Sequence, residues 1–172
     1  LAKNEVLGLS TGTNASDATA NVTAIQAALT AGGLVQITTP GTYYINNTLI
    51  IDSFTELKLG AGVWIRLLPQ SNKLMLKTAA YDVTPTVVVP TWAGGSLITI
   101  PWTAHGLTTQ DYVIMQGAAQ TQYNQIFKVN TVTDANTITV LAPAAPTTSP
   151  TGTISIRKAT RNFAITGPGG FR

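Results

Sequence analysis

Asp52 and Glu56 are the most closely spaced of the seven acidic residues in this 172-residue chain. Two carboxyl groups held roughly 5 to 10 Å apart can cleave a glycosidic bond, one as acid and the other as base or nucleophile. Here Ser53 and Phe54 lie between the two acids and read as a corner, so the pair reads as a solvated bend rather than a catalytic dyad. Asp17 reads as a helix cap, Asp134 as a turn former and Asp111 as part of the turn before a strand. His105, in "AHGL", has no acid or nucleophile nearby in sequence and reads as a histidine bonding its own turn. With no Cys and a single His, neither a thiolate site nor a histidine cluster is possible. No catalytic residue, metal site or cofactor is expected in this stretch.

Trp92, Trp102, Tyr112 and Tyr123 are the candidate carbohydrate contacts, because exposed aromatic faces stack on the apolar faces of sugar rings. In a small β module such residues are more often core, and both readings stay open at this point. The net charge of +3 comes from ten basic and seven acidic residues scattered without runs. Lys58, Arg66, Lys73 and Lys77 sit at alternating or isolated positions, which suits a solvated face and not a nucleic-acid surface. "GPGG" at 167–170 lacks the lysine of a phosphate loop and reads as a corner between strands.

These residues must be carried by a mostly β scaffold. The chain is 44% hydrophobic and 10% charged, enough apolar content to bury a core and exclude disorder. Its mean hydropathy is +0.21, yet no run of about 18 apolar residues occurs, so neither membrane insertion nor a signal peptide is expected. Thr, a strand former, is the most frequent residue. One helix is expected over about 18–31, with Ser16 or Asp17 as N-cap, Val22, Ile25, Ala28 and Leu29 at helical spacing, and Gly32-Gly33 as the stop.

Strands are expected over 34–38, 42–46, 48–52, 56–59 and 64–68, joined by two or three residues each. None of these joints is the Asn-Gly or Asp-Gly of a two-residue hairpin. Short corners of this kind suit a chain that keeps turning in one sense and stacks each strand on the previous rung, which predicts a β-helix. From about Tyr81 to Lys158 the rhythm is lost, prolines accumulate, and hairpin logic takes over. "IFKVNTVTDANTITVL" reads as two strands joined at Asp134-Ala135-Asn136, with further strands over 97–102, 112–116 and 153–157. A small antiparallel sandwich or barrel inserted at a β-helix corner accounts for this segment.

The run "ATANVTAIQAALTAGGLVQITTPGTYYINNTLIIDSFTELKLGAGVWIRL", from Ala18 to about Leu68, resembles the start of pectate-lyase-like right-handed parallel β-helices in the form found in bacteriophage tailspikes and tail fibres. "NFAITGPGG" at 162–170 resembles a later coil. The segment from "TAHGL" to "NTITV" is similar to a β module of phage tail and baseplate proteins, with Gln110 and Gln125 where glycine is usual. The resemblance implies an all-β fold: a right-handed parallel β-helix with an N-terminal capping helix and an inserted antiparallel module. Its implied divisions are 1–80, 81–158 and a return over 159–172. It further implies a homotrimer in the phage tail of a virion, other tail or baseplate proteins and bacterial surface polysaccharide as partners, and a parent protein able to act as a capsule depolymerase. The alternative is a secreted bacterial polysaccharide lyase or hydrolase, or a β-helical adhesin. A chain that begins at Leu1 and stops just after re-entering the coil is expected to be the N-terminal part of a longer polypeptide.

Overall fold

The computed structural model describes residues 3–172, which form two compact units. The first unit holds the described residues up to Tyr81 together with Arg161–Arg172, and the second is Asp82–Thr160. The first begins with β1 (Lys3–Glu5), α1 (Ala15–Ala31), β2 (Gly33–Ile37), β3 (Gly41–Ile45), β4 (Leu49–Ile51), β5 (Thr55–Leu59), β6 (Val63–Leu67) and β7 (Leu76–Thr78). The second contains β8 (Thr86–Val87), β9 (Thr91–Trp92), β10 (Leu97–Pro101), β11 (Tyr112–Gln116), β12 (Ile126–Asp134), β13 (Thr137–Leu141) and β14 (Ser155–Ala159). The first unit is then completed by β15 (Ala164–Thr166) and β16 (Gly170–Phe171).

Every strand pair in the first unit is parallel, and the strands form three sheets: β1-β2-β5-β15, β3-β6-β16 and β4-β7. The chain visits these sheets in a fixed order, returns for a second pass, and after the second unit re-enters the first two. Val35 pairs with Leu57 and Tyr43 with Ile65, each 22 positions on, whereas Leu57 pairs with Ile165 across a separation of 108. Strand side chains alternate between faces. One face therefore buries Val35, Ile37, Tyr43, Ile45, Leu57, Leu59, Val63 and Ile65, joined by Leu49 and Ile51. From β2 to β6 observed and expected strand ends agree within about one residue; β1 and β7 are not among the expected strands.

The helix starts three residues before its expected position. Asn14, not Ser16 or Asp17, is the N-cap: its side-chain oxygen accepts the Asp17 N–H at 2.9 Å, and its amide donates to Asp17 Oδ2 at 2.6 Å. That reciprocal pair satisfies one of the orphan donors of the first turn and holds an acid at the positive helix end. At the other end Gly32, at φ 73°, donates its N–H to Leu29 O. The buried stripe is Ala18, Asn21, Ile25 and Leu29, with Val22 only half-buried. Asn21 tolerates burial because both its polar atoms are engaged: it donates to the carbonyls of Ser10 and Tyr44 and accepts the Ser10 N–H, at 2.8 to 3.0 Å. The helix packs on β3 and β4, the first strands of their sheets in chain order, and on β2, which only β1 precedes in its sheet.

The second unit is one antiparallel sheet of seven strands in the order β8-β14-β11-β12-β13-β10-β9. Alternate residues Ile98 and Ile100, Val113 and Met115, Phe127 and Val129, Ile138 and Val140 point to one shared core with Leu107, Tyr123, Ile154 and Ile156. A single sheet can enclose that core only by curling. β12 supplies the bend: its first residues pair with β11 and its later ones with β13, with register shifts between Val129 and Thr131 and between Val132 and Asp134. The expected sandwich or barrel is thus one curled sheet, its end strands β8 and β9 each having a single partner. At the β12–β13 turn Asp134 accepts the Asn136 N–H at 2.7 Å. Gln110 and Gln125 both keep negative φ, so neither turn needs the glycine that the resemblance led one to expect.

Candidate functional site

Asp52, Glu56 and Glu5 are spent on structure. Asp52 Oδ1 accepts the Ser53 N–H at 2.7 Å, Glu56 Oε1 accepts the Thr166 hydroxyl at 2.6 Å, and Glu5 accepts the Thr38 hydroxyl. Glu56 lines a cleft of about 410 Å³ with Phe54, Thr55, Asn162, Phe163 and Ala164, and it is the only acid there. Two-carboxylate hydrolysis has no second member in that cleft. Both ring nitrogens of His105 are engaged. Nδ1 accepts the Leu107 N–H at 2.9 Å, which leaves the proton on Nε2 to donate to Asp134 O at 2.9 Å. Among the described residues no group of three or more His, Cys, Asp or Glu is placed to hold a metal.

Asp111 anchors the turn before β11. Burial alone would raise its carboxyl, but the Lys158 ammonium at 2.9 Å and the N–H and hydroxyl of Thr108 outweigh it and hold the group below its ordinary value. A depressed folded-state value means stability that is present above the unfolded value and is lost as pH falls through the folded one. Asp111→Asn is therefore expected to lower the melting temperature of the second unit at neutral pH. The gap to the parent chain should close as pH drops below about 4. Thermal scans across pH 2 to 7 check this, and a gap independent of pH would show that the ion pair contributes nothing.

The four aromatic candidates do not converge. Trp92 lies on the end strand β9, half-buried, with its indole N–H donating to Gly95 O at 2.8 Å. Trp102 packs against the core, 6.4 Å from the His105 ring. Tyr112 is half-buried on β11, three strands away from β10 in the sheet order. Tyr123 is 0% exposed, its hydroxyl donating to Thr148 O at 2.7 Å and its pKa raised by burial, so it has no ring face to offer.

Another set does converge, on the outer face of β3-β6-β16. Tyr43, Ile65 and Phe171 turn inward, so strand alternation puts Thr42 and Tyr44, Trp64 and Arg66, then Gly170 and Arg172 on the opposite face. The Arg172 guanidinium carbon lies 3.5 Å from the Trp64 ring centroid, and that of Arg66 lies 5.9 Å from the Tyr44 ring. Gly170 makes room for this: a Cβ there would come within 3.1 Å of the Trp64 ring. The spacing of 22 between "TYY" and "WIR" was the sequence signal for this face, legible only once the parallel register is known.

No family model and no curated protein matches the chain. Among solved structures it is similar to the tailspike protein gp49 from Pseudomonas phage LKA1, at 23% identity and a TM-score of 0.42, over 86% of this chain and 27% of that one. It is also similar to the Gp54 tailspike of Acinetobacter baumannii bacteriophage AP22, solved in complex with A. baumannii capsular saccharide. That match is at 12% identity and a TM-score of 0.39, over 79% of this chain and 24% of that one. The chain spans about a quarter of the length of each.

Proposed function

We propose that this chain is the N-terminal part of a phage tailspike or tail fibre that recognises polysaccharide on the host surface. The observation that carries the reading is the repeated visit to three parallel sheets, begun under a helix and interrupted by an antiparallel unit. That pattern agrees with the residue-level resemblance of 18–68 and 162–170 to the coils of such proteins. On this reading the first unit is the start of a right-handed parallel β-helix capped by α1, with divisions at 1–80, 81–158 and 159–172. The working form is a homotrimer in the virion tail, next to other tail proteins. Trp92, Trp102 and Tyr112 keep a secondary place as sugar contacts.

On this reading Glu5, Asp17, Asp52, Glu56, Asp111 and Asp134 do not act as a hydrolytic pair, since each serves a turn, a cap or a strand contact. The purified chain is expected to bind bacterial surface polysaccharide without releasing new reducing ends. Binding arrays paired with a reducing-sugar assay test both halves. Release of reducing ends that Asp52→Asn or Glu56→Gln abolishes would replace this reading with a secreted hydrolase or lyase. Failure to bind any surface polysaccharide would remove the recognition role.

A further inference from the structure

We infer that the outer face of β3-β6-β16 is a binding strip for a carboxylate-bearing polysaccharide, with Arg66 and Arg172 as its anion-binding groups. This inference rests on the polysaccharide reading above and names the ligand class and the place.

The register pairs Gly170 with Trp64 and Phe171 with Ile65, and the Arg172 N–H continues it to Ile65 O at 3.0 Å. Arg172 therefore stands beside Arg66 on the neighbouring strand, about 4.8 Å away at the backbone. Like charges set side by side across a sheet are unfavourable unless something lies between them. Among the described residues no carboxylate pairs with either guanidinium. The acids of this unit are used elsewhere: Glu5 on Thr38, Asp17 on the Asn14 cap, Asp52 on Ser53 and Glu56 on Thr166.

The two arginines are nevertheless held in place. Arg172 lies on the Trp64 ring and Arg66 near Tyr44, so part of the side-chain ordering is complete before a ligand arrives. A guanidinium stacked by its face keeps its in-plane N–H groups free, and that edge matches a carboxylate through two parallel hydrogen bonds. Two such edges on adjacent rungs suit an extended acidic chain running along the stack, its carboxylates falling on successive guanidiniums. Nucleic acid fits less well. Base stacking needs a bare aromatic face, and the Trp64 face is already covered by Arg172.

The test is affinity electrophoresis or calorimetry of the 172-residue chain with polygalacturonate, fully methyl-esterified pectin, dextran, inorganic polyphosphate and duplex DNA. The expected result is binding to polygalacturonate that weakens with salt, is absent for the ester and dextran, and falls at least about tenfold in Arg66→Gln/Arg172→Gln. Trp64→Ala should weaken binding by releasing Arg172, and Lys58→Gln, on another sheet, should leave it unchanged. Circular dichroism of each variant establishes that it is folded, with single Gln variants as the fallback if the double variant is not. Undiminished binding by the double variant overturns the inference, as does equal or tighter binding to polyphosphate or DNA. A sedimenting oligomer that dissociates in the double variant also overturns it, because a second copy would then cover this face. Binding of neutral surface polysaccharide but not of polygalacturonate by the parent chain sinks the strip alone, whereas absence of all saccharide binding by the parent chain sinks the polysaccharide reading with it.

Discussion

Replacing Ile25 with Asp is expected to unfold the parallel unit. Ile25 is fully buried between α1 and the strands beneath it, in one cluster with Leu29, Val35, Tyr43 and Leu49. Truncating a buried Ile costs about 2 to 5 kcal/mol, and placing an unpaired carboxylate in the same apolar site adds several more. A loss of about 5 kcal/mol or more would consume much of the 5 to 15 kcal/mol margin of an ordinary domain. Hydrogen exchange reports it directly: the amides of β2, β3, β5 and β6 should lose protection. Native-like protection of those amides in the variant would show that the helix is not part of the core.

Gly167→Ala should come next in size. Gly167 has φ 97°, a conformation costly for residues with a side chain, and its missing Cβ would lie 2.1 Å from the carbonyl oxygen of Leu59 and 3.0 Å from its carbon. Both are backbone atoms at the end of β5, so relief requires moving a strand and not a side chain. Strain of about 1 to 3 kcal/mol from the dihedral and a similar amount from overpacking gives roughly 2 to 6 kcal/mol together. Denaturant titration of the variant measures the loss. A cost below about 1 kcal/mol would mean that the Gly167–Gly170 corner can move away from Leu59 freely.

The contrast between these two positions and the rest of the molecule shows what sequence patterning can convey. Ile25 and the strand interiors were legible because burial there follows from period and spacing alone. Asn14 was not, because "TNASD" offers several capping residues in a row and only the position of Asp17 decides among them. The structural role of Asn21 was hidden for a different reason: its partners Ser10 and Tyr44 lie 11 and 23 positions away. Tyr123 could not be told from a surface aromatic until the curl of the sheet placed it at the centre of a core. The Arg66 and Arg172 face depends on a register that resumes after more than a hundred residues, and no local pattern carries that information.

That long resumption also sets a clock. β2 and β5 pair across 22 residues, a closure available soon after both emerge from the ribosome, but β5 must wait for β15 across 108. At about 5 to 20 residues per second the wait is on the order of 5 to 20 s. During that interval the free side of β5 is an open strand edge able to pair with the wrong chain. The hazard is kinetic: how long that edge stays open is governed by the speed of translation through the intervening segment, and no gain in the stability of the finished fold shortens it.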